Sequence, residues 1–267
     1  LIWECRYQMS GVQKGIKIAA IVLAIFIICI IINAILALVG SFAYAEGDVT
    51  FLESYNNISN IEIDLGTTNL EIKKGVEFKV EASNVTDKFK VKKRNNTLYI
   101  EEDSFWLFGN NNAGKVIVYV PEYLEELNID TGAGTTTINN ISARKMNLDH
   151  GAGIIEINAS TFDNSEIDGG TGEINISSSI FTNLELDTGV GEVNFNGQIL
   201  GKSNISAGIG EINLTLTGGE ELYELRIDKG IGDVFLNGED YGRPSYGNGA
   251  NLIDIDGGIG EININFN

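Results

Sequence analysis

Six aspartates recur at equivalent positions in the C-terminal half of the chain, and they are the first candidates for chemistry. They are Asp130, Asp149, Asp168, Asp187, Asp228 and Asp256. Carboxylates stacked about 5 Å apart repel one another, so such a ladder could recruit Ca²⁺. The spacing differs from that of the calcium-binding nonapeptide repeat. We therefore favour hydrogen bonds from each carboxylate to the amides of its own turn, and we expect neither a metal nor a cofactor.

Each aspartate opens an Asp-x-Gly-x-Gly motif, and a seventh copy has Ser206 in the place of Asp. The second glycines are Gly134, Gly153, Gly172, Gly191, Gly210, Gly232 and Gly260. The first four spacings are 19 residues, whereas the last two are 22 and 28, which indicates inserted loops. A fixed period near 20 residues is typical of stacked repeats. A degenerate earlier copy begins at Ile61.

Apolar residues alternate after each glycine pair, as in Ile155 and Ile157 or Ile174 and Ile176. Alternation of this kind predicts short strands with one buried face. One repeat cannot bury its apolar face alone, so the repeats must stack as parallel rungs. We predict an all-β, single-stranded β-solenoid, a right-handed β-helix with rungs of about 19 residues. A left-handed helix would need a six-residue subperiod, which the sequence lacks.

Two further rows are expected on the outside of the rungs. The acidic row is Glu173, Glu192, Glu211, Asp233 and Glu261, and the amide row is Asn175, Asn194, Asn213 and Asn263. Stacked asparagine amides can hydrogen-bond along the rod. The polar face that they form is either a multivalent binding surface or a solvated face that keeps the rod soluble.

Charge and composition exclude several functions. The 267 residues carry a net charge of −19, which argues against nucleic acid and against docking of the soluble part on anionic lipid. His150 is the single histidine, so histidine-based metal sites and most histidine-dependent catalysis are not expected. Parallel β-helices also host polysaccharide lyases and hydrolases, but Arg226, Asp228 and Lys229 form the one mixed-charge cluster in the repeats. We predict that the protein is not an enzyme.

The N-terminal part predicts a membrane anchor. Residues 1–17 form a short basic cytoplasmic segment, residues 18–40 a transmembrane helix and residues 41–50 a linker. The positive-inside rule places the β domain outside the cell on a single-pass anchor. Ala43-Tyr44-Ala45 resembles a signal-peptidase site, so a cleaved signal is the alternative. The two cysteines, Cys5 and Cys29, precede the repeats, so no disulfide is expected there.

Residues 51–126 are expected to form N-terminal β coils that cap the solenoid, and residues 127–267 the glycine-rich repeats. In the cap, Phe105 and Trp106 lie in an aromatic stretch that could grip a partner or could be tucked under the cap.

The loop in the widest repeat spacing contains Tyr241, Arg243 and Tyr246, residue types that often make partner contacts. A plain flexible insertion is the alternative. Because the chain ends at Asn267 directly after a strand, we expect an uncapped C-terminal rung through which copies could self-associate.

A stretch with the sequence Lys-Val-Ile-Val-Tyr-Val-Pro, a short leucine-containing link and the first Asp-x-Gly-x-Gly rung occupies residues 115–134. In these features the chain resembles the DUF4097 family of β-strand repeat proteins, many of which are named adhesins. The resemblance covers roughly residues 50–267. It implies a bacterial β-helical domain, commonly membrane-anchored and often associated with envelope stress, with no catalytic residues.

Together these observations predict a membrane-anchored extracellular binding module that contacts the cell envelope as an adhesin. Its partner would be a cell-wall component, a surface molecule or a signalling protein. The alternative is a sensor or regulatory component of an envelope-stress system, and an enzyme acting on polysaccharides is less favoured.

Overall fold

The computed structural model describes residues 49–102, 114–121 and 123–267. Within these ranges the chain is all-β, and its one helical element is a single 3₁₀ turn at Glu220–Leu222. The predicted transmembrane helix, the flanking N-terminal segments and the candidates Phe105 and Trp106 lie outside the described residues. In the part that is described, no helix is long and apolar enough to cross a membrane.

Eighteen strands are described. The first six are β1 (Val49–Tyr55), β2 (Asn60–Lys74), β3 (Phe78–Ser83), β4 (Lys90–Arg94), β5 (Thr97–Glu102) and β6 (Gly114–Val120). The next six are β7 (Leu124–Asn139), β8 (Ser142–Asn158), β9 (Thr161–Asp168), β10 (Thr171–Thr182), β11 (Leu184–Leu200) and β12 (Lys202–Leu216). The last six are β13 (Tyr223–Asp228), β14 (Val234–Leu236), β15 (Glu239–Asp240), β16 (Ser245–Gly247), β17 (Asn251–Asp256) and β18 (Ile262–Phe266).

The middle of the molecule is a solenoid whose rungs follow one another in chain order. β7, β8, the pair β9 and β10, β11 and β12 stack in parallel, and equivalent residues pair across neighbouring rungs. The long strands run through the glycine corners without a break. The predicted all-β solenoid with a 19-residue period is therefore confirmed.

The core is a set of columns, because each inward position repeats from rung to rung. One column contains Ile129, Leu148, Ile167, Leu186 and Ile205, all of them buried. A buried aliphatic side chain contributes about 1.5–3 kcal/mol. Stacking therefore gives each rung the apolar cover that an isolated rung lacks.

Aromatic rings pack together across two neighbouring columns. The ring centroids of Phe162 and Phe181 lie 5.3 Å apart, and those of Phe181 and Phe195 lie 5.9 Å apart. Aromatic pairs at this distance stabilise a core by about 0.5–1.5 kcal/mol beyond the area that they bury.

The glycine corners bring neighbouring backbones too close together for any side chain. At Gly191, φ is +157°, and a Cβ atom would overlap the carbonyl oxygen of Gly172 in the neighbouring rung. The same relation links Gly210 to Gly191. Close backbone approach therefore explains why the second glycine of the motif repeats without exception.

At the C-terminal end, the rungs do not follow the order of the sequence. Ile255 of β17 pairs with Ile205 of β12 on one side and with Ile227 of β13 on the other. β18 lies in the same way between β12 and β14. The prediction of an uncapped last rung is therefore wrong, because residues 251–267 lie inside the rod. Self-association through an open edge of that rung loses its structural basis.

The outermost C-terminal rung is formed by β13 and β14, and the chain that follows it covers its edge. β15 pairs with β14 and β16 pairs with β13, both antiparallel. The widest repeat spacing therefore holds a cap and also gives the chain room to pass back over one rung.

The N-terminal end has the same arrangement. β2 contains the degenerate repeat, and its Ile63 pairs with Ile129 of β7 on one side and with Ile100 of β5 on the other. β6 pairs with the second half of β2. β5 and β6 therefore form the outermost rung although they follow β2 in the chain. Antiparallel strands cover this rung, with β4 next to β5 and with β3 and then β1 next to β6.

Candidate functional site

The predicted aspartate ladder is present and longer than the motif indicates. Neighbouring rungs align nine positions in one row: Glu101, Asp64, Asp130, Asp149, Asp168, Asp187, Ser206, Asp256 and Asp228. Burial, reinforced by the neighbouring charges of Asp130 and Asp168, raises the pKa of Asp149. Among the described residues, no group of three or more potential ligands could hold a metal ion.

Several of these carboxylates bond to their own turns. Asp168 accepts a hydrogen bond from the backbone N–H of Gly170 at 3.0 Å. Asp228 and Asp256 accept equivalent bonds, each at 3.2 Å, from the glycines two residues further along. These contacts are the ones expected from the sequence. They give the row a structural role at three of its corners.

The amide row forms a continuous ladder of hydrogen bonds. Asn194 donates to Asn175 at 3.1 Å, Asn213 donates to Asn194 at 3.0 Å, and Asn263 donates to Asn213 at 2.9 Å. The last of these bonds joins residues that are 50 positions apart. The amides mostly satisfy one another, so this row strengthens the rod.

The acidic row is a surface of concentrated negative charge. Glu211 lies between Glu192 and Glu261, and its pKa is raised mainly by partial burial and then by those two charges. Asn213 opposes the shift by donating a hydrogen bond to the carboxylate. An acidic face repels negatively charged molecules, so it favours basic or neutral polar partners.

The single histidine lies in the interior. The Nδ1 atom of His150 is 2.7 Å from the hydroxyl oxygen of Thr131, which is 3.4 Å from that of Thr136. Burial lowers the pKa of His150 to about 4, although backbone groups of Gly134 and Ala152 oppose the shift. The imidazole is neutral at pH 7 and only 1% exposed. The ring packs in the interior beneath the glycine corner and is not part of a surface site.

A groove of about 520 Å³ crosses one wall of the solenoid. It spans five neighbouring rungs, built from β8, β9, β11, β12 and β17. Its lining residues are Lys145, Asn147, Asn164, Ser165, Glu166, Asn183, Leu184, Glu185, Lys202, Ser203, Asn204 and Asp254.

The groove arises from two rows that follow the same 19-residue period as the glycines. One row is Lys145, Asn164, Asn183 and Lys202, and the other is Asn147, Glu166, Glu185, Asn204 and Asp254. Applying the period to positions other than the motif could have revealed both rows in the sequence, but they were missed.

Chemically, the groove offers donors and acceptors on a rigid frame. The side-chain amide of Asn183 donates to the side chain of Asn164 at 3.3 Å. The Oδ1 atom of Asn183 accepts a hydrogen bond from the backbone N–H of Lys202 at 3.1 Å. Glu166 and Glu185 are exposed and lie side by side. Small-molecule pockets are lined predominantly by apolar side chains, whereas the side chains along this groove are mostly polar and repeat at about 4.8 Å. It suits an extended ligand rich in hydroxyl or amide groups.

The predicted contact loop forms the C-terminal cap. The ring of Tyr246 stacks on Phe266 at 5.6 Å and meets Tyr241 edge-on at 5.9 Å. The hydroxyl of Tyr246 donates to Glu220 at 2.8 Å. Both tyrosines are partly buried against the core, whereas Arg243 is exposed. The loop is therefore a packed lid, and within it Arg243 is the residue that is free to contact a partner.

Charge is distributed unevenly along the rod. Residues 122–267 contain 24 Asp and Glu but only 6 Lys and Arg, whereas residues 49–121 contain 10 and 9. The negative charge of the chain therefore belongs to the rungs and the C-terminal end. The N-terminal end is nearly balanced overall.

The fold and these surfaces define a β-solenoid repeat protein whose outer face is polar and whose rungs present equivalent side chains in rows. The chain belongs to the Toastrack DUF4097 family, whose sequence profile matches residues 58–243. A comparison with curated proteins finds no significant match.

Several crystal structures are similar in fold. A candidate cell adhesion protein from Clostridium sporogenes is 19% identical, with 81% of this chain and 98% of that chain covered and a TM-score of 0.37. A candidate adhesin from Bacteroides fragilis is 13% identical, with 81% and 96% covered and a TM-score of 0.47. A candidate lipid-binding protein from Parabacteroides distasonis is 18% identical, with 80% and 95% covered and a TM-score of 0.42.

Proposed function

We propose that this chain is a non-enzymatic binding module of the bacterial cell envelope. It is displayed outside the cell on a single-pass anchor formed by residues 18–40, and its solenoid coils right-handedly, as parallel β connections generally do. Its ligand is an extended polar polymer such as a cell-wall glycan. The groove of about 520 Å³ carries the proposal, because it aligns amide, carboxylate and ammonium groups across five rungs.

The physical argument rests on repetition and rigidity. Equivalent side chains repeat at about 4.8 Å along the rod, which is close to the length of one sugar unit. A frame whose rungs are fixed by backbone ladders loses little conformational entropy when a ligand binds. The ligand can therefore form several modest hydrogen bonds at once, and their sum gives specificity without a deep pocket.

The test is a pull-down of purified cell-wall glycan by the full-length protein. The groove variant carries Lys145→Gln, Glu166→Gln, Glu185→Gln and Lys202→Gln, which removes four charges and leaves the net charge unchanged. We expect glycan retention to fall at least about ten-fold, which corresponds to a loss of about 1.4 kcal/mol.

A matched control removes the same number of charges away from the groove. It carries Lys74→Gln, Lys229→Gln, Glu239→Gln and Asp240→Asn, and it should retain glycan like the unmodified protein. Equal retention by both variants would exclude the groove. Arg243→Ala tests the loop separately, because it removes the exposed side chain and leaves the packed tyrosines in place.

The regulatory alternative predicts a different result in a parallel pull-down from solubilised envelope. If a membrane sensor or kinase is recovered and purified glycan is not bound, the solenoid is an input domain and the adhesin proposal fails.

A further inference from the structure

The N-terminal end of the rod carries an exposed basic strip. β4 and the turn before it contain Lys88, Lys90, Lys92, Lys93 and Arg94, all of them exposed. The one acidic residue between Thr86 and Thr97 is Asp87. Half of the 18 Lys and Arg residues of the chain lie between positions 73 and 115. The strip is therefore a local excess of positive charge on an otherwise acidic molecule.

Among the described residues, most of the basic side chains of the strip form no ion pair with an acidic residue. On the neighbouring wall, Lys73 and Lys115 both contact Glu71, and Lys79 contacts Glu81 at 2.6 Å. In the part of the chain that the structure describes, the ion pair of the strip joins Lys92 to Glu101 at 3.4 Å, and both side chains are nearly half exposed. Exposed pairs of this kind are weak and easily exchanged.

The strip lies on an edge of the sheet at the end of the rod. Among the described strands, β4 pairs with β5 alone, so its outer edge faces away from the solenoid. Lys90, Lys92 and Arg94 share one face because side chains alternate along a strand. They form a row along the end of the molecule.

Apolar groups lie at the same end. The rings of Phe51 and Phe89 meet edge-on at 5.4 Å and close the core, and Leu52 of β1 is 59% exposed. Basic residues and exposed apolar groups at one end of a domain are typical of surfaces that lie against phospholipid headgroups.

The connectivity places this end near the anchor. β1 begins at Val49, and the apolar segment predicted to span the membrane ends at residue 40. Eight linker residues reach at most about 28 Å. An anchor at residues 18–40 therefore holds β1 and β4 close to the bilayer. The acidic C-terminal end lies about 40 Å further away, since nine rungs are stacked at about 4.8 Å.

We propose that the basic strip at residues 88–94 docks the N-terminal end of the solenoid on anionic phospholipid headgroups. Docking makes the rod stand with its acidic rungs and its groove directed away from the membrane. Of the proposed function, this inference uses the membrane anchor and nothing else. The net charge of −19, which argues against lipid docking by the whole domain, does not apply to this end because the negative charge lies elsewhere.

The test uses the full-length chain reconstituted in vesicles of phosphatidylcholine, or of phosphatidylcholine and phosphatidylglycerol in about equal parts. Cys5→Ser and Cys29→Ser remove the native thiols, and a fluorophore is attached at Asn96→Cys beside the strip or, in a second sample, at Gly242→Cys at the far end. Spin-labelled lipids report proximity to the bilayer by quenching.

We expect strong quenching at position 96 in the anionic vesicles at about 0.1 M salt, and its loss at about 1 M salt, where charges are screened beyond about 3 Å. The label at position 242 should stay unquenched. Lys88→Gln with Lys90→Gln and Lys92→Gln should lower the docking equilibrium about 100-fold, since each basic residue near an anionic surface contributes about five-fold. These changes keep the contact of Lys93 with the backbone of Asn56.

The matched control is Arg144→Gln with Arg226→Gln and Lys229→Gln, which removes the same charge elsewhere and should leave the quenching unchanged. Equal quenching in neutral and anionic vesicles, or quenching that salt does not affect, would overturn the proposal without relying on any variant.

Lysines on an exposed edge can also serve only to prevent strand pairing between copies. Aggregation of the glutamine variant, with no quenching of the unmodified protein, would assign the strip that role and refute docking. Retention of the chain in neutral vesicles after an alkaline wash is scored separately. Its failure removes the anchor of the proposed function, while quenching by anionic vesicles still decides whether the strip docks.

Discussion

The two ends of the solenoid share one topology, and their cap strands carry opposite charge. At each end the outermost rung is not the terminal rung of the sequence, because β2 lies inside β5 and β6 and the pair β17 and β18 lies inside β13 and β14. Antiparallel strands cover each outermost rung. The N-terminal cap strand β4 is basic, whereas the C-terminal cap strand β15 consists of Glu239 and Asp240.

The shared topology has a physical reason. An open strand edge invites pairing with other copies. β2 at one end, and β17 and β18 at the other, lie inside the rod and have partners on both of their edges. The rung left outside is then one with chain available to fold back over it, as residues 239–250 do at the C-terminal end. The difference in charge has no such topological cause.

Engineered crosslinks test the interchange of rungs with an all-or-none result. With the native cysteines replaced by serine, Asn213→Cys with Asn263→Cys should form a disulfide on oxidation, because the positions are register neighbours about 4.8 Å apart. Asn213→Cys with Phe235→Cys should not, because a rung separates them. The readout is a gel shift after oxidation of the folded protein. The opposite pattern would restore the sequential order of rungs.

The N-terminal end offers the same test. Glu62→Cys with Asn128→Cys should crosslink, since β2 pairs directly with β7. Tyr99→Cys with Asn128→Cys should not, since β2 lies between them. If one end crosslinks as described and the other does not, the conclusion that the two ends share one topology is wrong.

Alanine substitutions at the corner glycines should lower the free energy of unfolding more in the middle of the rod than at its end. Gly191→Ala should lower it by about 4 kcal/mol, because the new Cβ atom overlaps a carbonyl oxygen that rungs on both sides hold in place. Gly232→Ala meets the carbonyl of Gly260, but in the outermost rung the backbone can relax, so about 2 kcal/mol is expected. Gly242→Ala meets no atom within 4 Å and is the neutral control in urea denaturation. Equal losses at positions 191 and 232 would show that the end is as rigid as the middle.

The rungs and the rows beside the glycine motif were predicted from the sequence, whereas the order of the end rungs and the groove were missed. Glycine spacing and alternation fixed the rungs, the aspartate row and the asparagine ladder, since each depends on contacts between equivalent positions. The order of the rungs was not predictable, because residue 255 fits equally well beside residue 205 or residue 227 when all three are isoleucine. The groove was missed because its residues belong to no sequence motif and are brought together only by the register of the paired strands.

His150 gives the middle of the rod a pH-dependent weakness that the ends lack. Its pKa falls from 6.5 to about 4 on folding because burial disfavours the charged ring. The unfolded chain then binds the proton more readily than the folded chain, so stability is complete above about pH 6.5 and is lost as the pH falls towards 4. The shift corresponds to about 3 kcal/mol.

His150→Thr isolates this effect from the carboxylate rows, because threonine occupies the same corner at position 131 in the neighbouring rung and at position 188 two rungs away on the other side. The difference in unfolding free energy between the unmodified protein and the variant should change by about 3 kcal/mol between about pH 7 and about pH 4. A difference that does not depend on pH would mean that the ring reaches solvent or is not neutral.

The aromatic lids predict the smallest effects and test whether the two caps are equivalent. Phe89→Leu at one end should lower the unfolding free energy by about 1 kcal/mol, because one ring pair is lost. Tyr246→Leu at the other end loses two ring pairs and should lower it by about 2 kcal/mol. Tyr246→Phe keeps the ring and loses only the exposed hydrogen bond to Glu220, so its effect should stay within about 0.5 kcal/mol. A larger loss for Tyr246→Phe than for Tyr246→Leu would mean that the hydroxyl, and not packing, holds the C-terminal cap, and the caps would then differ in mechanism as well as in charge.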